Sequence, residues 1–384
     1  MIGGDRKKST MILTNCAFCA APLPQLAKQC SRCKTRYCGP ACQAQHWKEG
    51  GHDKLCKKIK RGGGAEQFHA ANKYTEATAT AINACADDTK DQTCYICTEG
   101  AERRHTADEG LMRMCSCRGT ANFVHVSCLT EQAQVLCDTA EENNLGLQST
   151  WARWSYCSLC KQQYHGVVSW ALGWACWKKY LGRQETDHIR GQSLNILASG
   201  LFKEGDPGRC EEAYAVQQAD LAARRRLTPN DQSGQLMVFS AMANTLSALG
   251  RSDEALKIHR FMYTKIAESP GDDEDSFGTM MNFAAELKRS GEPHLLAERR
   301  TLLRDKVPVA QRVLGPHHRL TLQLRSEYAQ LKFDDDRATL DDRLAQLAVL
   351  EGVVRTARQV LGAAHPLTES FAHNAEWART IARD

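Results

Sequence analysis

Eighteen cysteines in 384 residues, most in close pairs with histidines nearby, restrict what this chain can fold into more than any other feature. The first group is Cys16, Cys19, Cys30, Cys33, Cys38, Cys42, His52 and Cys56, spaced C-x2-C, C-x2-C, C-x3-C, H-x3-C. The second is Cys94, Cys97, Cys115, Cys117, His125, Cys128, Cys157 and Cys160, spaced C-x2-C, C-x-C, H-x2-C, C-x2-C with gaps of seventeen, seven and twenty-eight residues. Paired thiols beside histidine suit metal thiolates better than a secreted disulfide framework. Zinc takes four soft ligands in a tetrahedron, and a C-x2-C pair at a tight turn offers two thiolates to one ion. Eight ligands per group therefore imply two Zn2+ ions each, four in the chain.

The rest of the composition is that of an ordinary globular protein, 42% hydrophobic and 25% charged. At this length two or three units are expected. MIGGDRKKST lacks an apolar core followed by a cleavage site, so no signal peptide is expected. The most apolar run, GVVSWALGWACW, is stopped by Lys178 and Lys179, well short of the about twenty residues a membrane span needs. An intracellular, reducing compartment is expected, cytoplasmic or nuclear, with no membrane partner and no nucleic acid.

The first group resembles the MYND finger, including Tyr37 before the fifth ligand and Trp47 on the approach to His52. The resemblance covers residues 16–56 and implies interleaved ligands, with Cys16, Cys19, Cys38 and Cys42 on one ion and Cys30, Cys33, His52 and Cys56 on the other. It also implies binding of short proline-containing peptides rather than catalysis. His46 is read as a surface residue. Residues 16–61 carry ten Lys/Arg against two acids, although the whole chain has a net charge of only +5. The run KKIKR at 57–61 reads as a solvated helix end rather than a phosphate-binding patch. RGGG then breaks structure, and the weakly patterned AEQFHAANKYTEATATAINACA reads as a surface helix or spacer, with Cys85 a small buried residue.

In the second group the order C4HC3 is shared by two finger types, and spacing separates them. A histone-tail-reading PHD finger has two to four residues between its third and fourth ligands and four or five before the histidine. Here those gaps are one and seven, and CRGTANFVHVSCL and CSLCKQQY resemble the RING-CH pattern. That resemblance places Cys115 and Cys117 on one ion, and His125 and Cys128 on the other. It implies a ubiquitin ligase, which docks a ubiquitin-loaded conjugating enzyme and works by positioning rather than by a side-chain nucleophile. Ile96, between the first two ligands, is the implied apolar contact to that enzyme, and Lys161, after the last ligand, the implied basic one. Gln132 stands where the family commonly has a tryptophan, with Trp151 or Trp154 as substitutes. The stretch before Cys157 is long, and its EQAQVLCDTAEENN portion reads as a helix; Cys137 within it has no partner pattern. After it, Trp170, Trp174 and Trp177 share one helical face with Val167, a core stripe with Cys176 packed beside it.

From about residue 190 cysteine nearly vanishes and a repeat takes over. RVLGPHHRLTLQLRSEYAQL at 312–331 recurs as QVLGAAHPLTESFAHNAEWA at 359–378, and fainter echoes lie at 194–216 and 242–263. Helix pairs at this period are the signature of a solenoid. The L-G-x-x-H turn resembles tetratricopeptide repeats of the kinesin light chain type, in about four copies. His317, His318 and His365 are read as hydrogen-bonding across repeat turns, Cys210 as a partnerless turn residue, and the acidic runs at 272–275 and 334–337 as solvated loops.

The expected architecture is multidomain: two small cross-braced zinc-finger modules, MYND and RING-CH, each small α+β, followed by an all-α helical-repeat solenoid. Its parts are an N-terminal tail (1–15), the MYND finger (16–56), a basic and glycine-rich linker with a helix (57–90), the RING-CH finger with insert (91–165), a connecting helix (166–190) and the repeats (191–384). Two functions fit: a RING-CH-type E3 ubiquitin ligase whose MYND finger and repeats bind substrate or partner proteins, or a non-catalytic zinc-finger adaptor, for example in transcriptional regulation.

Overall fold

The computed structural model describes residues 15–384 apart from 22, 25–26, 101–108, 116, 118, 146–149, 269–272, 336, 364 and 383–384. Nearly all of the tail 1–15, together with Asp272 and Asp336 of the acidic runs, lies outside the described residues. The chain divides into two units, Met1–Leu249 and Gly250–Asp384.

In the first unit a hairpin of β1 (Lys28–Gln29) and β2 (Arg36–Tyr37) pairs Lys28 with Tyr37 and Gln29 with Arg36. Helices α1 (Pro40–Lys48) and α2 (His52–Arg61) follow, separated by Gly51 at φ 72°. The residues after Cys56 form the exposed end of α2 around the buried Ile59. Helix α3 (Ala65–Ala84) starts where the Ala65 amide donates to the Cys33 carbonyl, 2.9 Å away. It is no surface spacer. Ala65, Ala70, Ala77, Thr78 and Ala81 are buried, and the helix lies against the tryptophan-rich helix. Alanine gives a faint hydrophobic pattern, yet its small size is what allows close approach. A short α4 (Ala86–Thr89) leads to β3 (Leu111–Arg113), which pairs antiparallel with β4 (Phe123–His125) in the register Leu111 to His125. Helix α5 (Val126–Glu142) covers most of the stretch expected to be helical, beginning earlier and ending before Asn143 and Asn144.

Helix α6 (Gly166–Tyr180) is buried on every side over residues 168–177, so the expected tryptophan stripe is part of an all-round apolar helix. Helices α3, α5 and α7 (His188–Glu204) pack on it. Trp151 and Trp154 stand against Tyr180, with ring centroids 5.4 and 6.1 Å away, which places them in this core. The α6–α7 crossing is close because two glycines meet there. A Cβ on Gly200 would lie 2.4 Å from the Ser169 carbonyl oxygen, and one on Gly173 3.2 Å from the Leu197 Cα.

The turn K-E-G-D-P-G between α7 and α8 (Pro207–Leu227) follows capping chemistry: Gly205 ends one helix at φ 88°, Asp206 accepts from the Gly208 and Arg209 amides, and Pro207 opens the next. Cys210 is therefore a buried first-turn residue of α8 and not a loop residue. Helix α9 (Gln232–Ala248) completes the unit. Ion pairs tie the first Cys/His module to these helices. Arg190 donates to both Glu66 carboxylate oxygens at 2.9 Å and to the Leu181 and Arg183 carbonyls, and Arg36 pairs with Glu185, which also holds Arg226.

The second unit, taken by itself, is a run of helices: α10 (Ser252–Ala267), α11 (Glu274–Ser290), α12 (Pro293–Val313), α13 (Arg319–Gln330), α14 (Leu340–Val360) and α15 (Pro366–Ile381), each packing on the next. The L-G-x-x-H repeat is a helix junction. Gly315 and Gly362 turn the chain at φ 90° and 95°, and Nδ1 of His318 and His365 accepts from the Leu320 and Leu367 amides at 3.4 and 3.1 Å. These histidines cap the following helix rather than bridge between repeats, while His317 is exposed. Asp273 likewise caps α11, so Glu274 and Asp275 belong to a helix and not to a loop. No helix among the described residues is long and apolar enough to cross a membrane.

Gly200→Ala forces a backbone clash at the α6–α7 crossing and should cost about 2 kcal/mol in urea unfolding. Gly278→Ala, on a helix position with nothing within 4 Å, should instead stabilise by about 0.5 kcal/mol or more. Equal midpoints for the two variants would mean that the crossing is not as close as described.

Candidate metal centres

Each module gathers its cysteines and histidine into two groups of four, with every donor atom within 4.8 Å of the others in its group. The groups are Cys16, Cys19, Cys38, Cys42; Cys30, Cys33, His52, Cys56; Cys94, Cys97, His125, Cys128; and Cys115, Cys117, Cys157, Cys160. In both modules the donor pairs alternate along the chain between the two groups.

The same turn builds four of the eight pairs. The amide four residues after the first cysteine donates back to that cysteine's carbonyl: Ala20 to Cys16 (2.9 Å), Lys34 to Cys30 (3.0 Å), Thr98 to Cys94 (2.8 Å) and Lys161 to Cys157 (3.1 Å). The first cysteine's own amide donates five residues on, to Ala21, Thr35, Glu99 and Gln162. To close this knuckle, Ala20, Lys34, Thr98 and Lys161 all take a left-handed backbone, with φ between 60° and 63°. None is glycine, so sequence reading had no signal there. The facing donors sit on or beside regular elements: Cys38 just before α1 and Cys42 in its first turn, His52 and Cys56 one turn apart on α2, His125 and Cys128 at the start of α5, and Cys115 and Cys117 just past β3.

A tetrahedral ion with metal–sulfur bonds of about 2.3 Å sets its donors about 3.8 Å apart. The Sγ separations are 3.6 Å for Cys19–Cys38, 3.4 Å for Cys38–Cys42, 3.7 Å for Cys30–Cys56, 3.5 Å for Cys115–Cys157 and 3.8 Å for Cys117–Cys157. All the cysteines are free thiols. The donor set and spacing thus fit a soft, tetrahedral ion such as zinc.

The two histidines present opposite nitrogens. His52 turns Nε2 to Cys33 Sγ at 3.4 Å, its ring boxed by Tyr37, His46 and Trp47. His125 turns Nδ1 to Cys97 and Cys128 at 3.4 and 3.7 Å, while its Nε2 hydrogen-bonds the Gly100 carbonyl at 2.8 Å. That outer hydrogen bond fixes the tautomer and frees Nδ1 to act as a donor to metal. His46 is not a surface residue: it is buried, with Nδ1 3.1 Å from the Tyr37 hydroxyl. It props the wall of the second group.

Crowding the thiols splits their acidities. Burial raises Cys30, but hydrogen bonds from His52 and the Cys33 and Arg32 amides outweigh it and bring the thiol down to about 6. Cys42 is pushed up to about 12 by its hydrogen bond with Cys38, then by burial, and Cys56 to about 12 by burial and then Cys30. Gathered thiols cannot all ionise beside one another without a cation among them.

Beside these groups, Ile96 is half-buried against the core, and Lys161 bonds the Ser158 carbonyl at 2.7 Å. Gln132 accepts from the Tyr95 hydroxyl at 3.1 Å, so this tyrosine joins the first knuckle to α5. Leu159 in the last knuckle is 57% exposed, an apolar surface residue that the sequence reading passed over. Cys85, Cys137 and Cys176 are buried and stand outside the four groups.

Residues 16–56 match the family model of the MYND finger, and residues 94–160 match that of the RING-variant domain. The chain carries both fingers. Two crystal structures of the nearly identical TPR-like repeats of a kinesin light chain candidate from Podosopora anserina, one a single-substitution variant, align with it at 15% identity and a TM-score of 0.41. Each covers 61% of this chain and 97% of its own. No curated protein matches.

Thr98 pays most for the left-handed knuckle, being β-branched. Thr98→Gly should raise the unfolding free energy of the metal-loaded RING-variant domain by about 0.5–1 kcal/mol. A lower value in denaturant titration would show that the Thr98 side chain, not its backbone, supports the turn.

Proposed function

We propose that the four groups hold four zinc ions, two in each finger, and that the RING-variant domain acts as an E3 ubiquitin ligase whose MYND finger and helical repeats bind substrate or partner proteins. Zinc supplies structure here: the short strands and knuckles of each finger bury too little apolar surface to fold alone. The observation that carries the ligase reading is the RING-variant match with its ligand set complete. On this reading the first and last knuckles face the conjugating enzyme, through Ile96 and Leu159, with Lys161 beside them. Their role is to hold the enzyme's thioester so that a substrate lysine can reach it, which needs orientation and no nucleophile from this chain. Free thiols throughout fit a reducing intracellular compartment.

A second reading, a non-catalytic adaptor, draws on Gln132. That position carries a polar side chain hydrogen-bonded to Tyr95, and both candidate substitutes, Trp151 and Trp154, are committed to the core.

Native mass spectrometry of the full chain should report four zinc ions, and 1,10-phenanthroline should abolish cooperative unfolding of both fingers. Two ions would remove one finger's assignment. Reconstituted autoubiquitination with a panel of conjugating enzymes should yield chains, slowed about tenfold by Ile96→Ala. No chains from zinc-loaded protein with any enzyme would leave the adaptor.

A further inference from the structure

The charge asymmetry of the MYND finger is concentrated on one helix face. On α2, His52, Cys56 and Ile59 point inward. Directly opposite, at helical spacing i, i+3, i+4 and i+7, stand Lys54, Lys57, Lys58 and Arg61, all exposed. Along the axis they span about 10 Å. Among the described residues none of the four has a carboxylate partner; the Lys58 Nζ lies 5.8 Å from the Phe68 ring centroid. Lys28, Arg32, Lys34, Lys48 and Lys60 are exposed on the same finger, against only Glu49 and Asp53. Leu55 flanks the stripe, and Trp47, in the last turn of α1, has its ring 5.7 Å from that of His52; each is 44% exposed.

A free stripe of this kind repels itself and is stabilised by an anionic partner. Arg36, by contrast, is already spent on Glu185, so the finger separates structural cations from unpaired ones. We propose that the α2 face is a docking site for an acidic peptide segment carrying an aliphatic side chain, the carboxylates lying along Lys54, Lys57, Lys58 and Arg61 and the aliphatic group on Leu55. Charge complementarity selects the acidic character. Leu55, which flanks the stripe, selects an aliphatic side chain; a nucleic acid would instead stack a base on the exposed Trp47 ring, and an oligonucleotide probe separates the two. The site is independent of the ligase reading.

The test uses the zinc-loaded full chain and fluorescence anisotropy of a fluorescein-labelled synthetic peptide in which two Glu-Asp runs flank a Leu-Leu pair. Control probes replace the acids by Gln and Asn, or the leucines by Ser, and a single-stranded oligonucleotide of equal charge is run beside them. The acidic peptide should bind at least about tenfold tighter than its neutral version and weaken as salt rises. The combined Lys54→Gln, Lys57→Gln, Lys58→Gln, Arg61→Gln variant should lose at least about tenfold, with zinc content unchanged by native mass spectrometry. Leu55→Ser should erase the preference for the leucine-bearing peptide. Absent binding, equal binding of the neutral peptide, an unaffected fourfold variant or tighter binding of the oligonucleotide would each overturn the proposal.

Discussion

Covering helix α6 is the condition on which the first unit is organised. Residues 168–177 leave no side of the helix for water, so neighbours must close over it from several directions. Each buried tryptophan removes apolar area equivalent to an upper bound of about 4–6 kcal/mol, so exposing any of the three is prohibitive. The covering elements come from different parts of the chain: α3 beyond the MYND finger, α5 inside the RING-variant domain, and α7 of the first helix pair. The RING-variant domain and the first helices thus share one core, while the MYND finger keeps a core of its own and is tied to them through the start of α3 and the Arg36–Glu185 pair.

Two of the covering helices, α3 and α5, begin at a candidate metal group. The Cys33 carbonyl receives the amide that opens α3, and two residues of the first α3 turn follow from it: Ala65 enters the finger's own core, and Glu66 meets Arg190. Arg190 lies over the Trp177 ring, 5.3 Å away, and ties off two carbonyls in the turn after α6. On the zinc reading, binding energy of about 10 kcal/mol or more at the second group is passed to the tryptophan helix through this short chain of contacts. Loss of metal from the MYND finger would then be felt as loosened packing around α6.

What could be read in the sequence follows from how narrowly the physics limits the choices. Four donors around one ion constrain residue type and spacing together, so the Cys/His groups were visible. The L-G-x-x-H echo was visible for the same reason, since a left-handed glycine and a capping histidine are both needed there. The left-handed knuckle residues were not, because Ala20, Lys34, Thr98 and Lys161 are types that take that backbone only when the hydrogen bonds around them insist. Helix α3 was misjudged because alanine marks a close contact by its size and barely by its hydrophobicity. His46 was misjudged because its burial depends on the Tyr37 hydroxyl, a partner nine residues away across the finger.

The Tyr95–Gln132 pair bears on how the RING-variant surface works. A tryptophan in the position of Gln132 would offer a large apolar anchor; here the floor between the knuckles is a hydrogen-bonded tyrosine and amide, and the apolar groups left are the half-buried Ile96 and the exposed Leu159. Such a surface gains less from desolvation, since most binding energy at interfaces comes from a few buried anchors. Weak docking is compatible with a ligase that must release each discharged enzyme before the next can bind. It fits less well with an adaptor that would rely on this surface for lasting attachment. On the adaptor reading, stable binding must therefore come from the MYND finger or the helical repeats, and the RING-variant domain serves to cover α6.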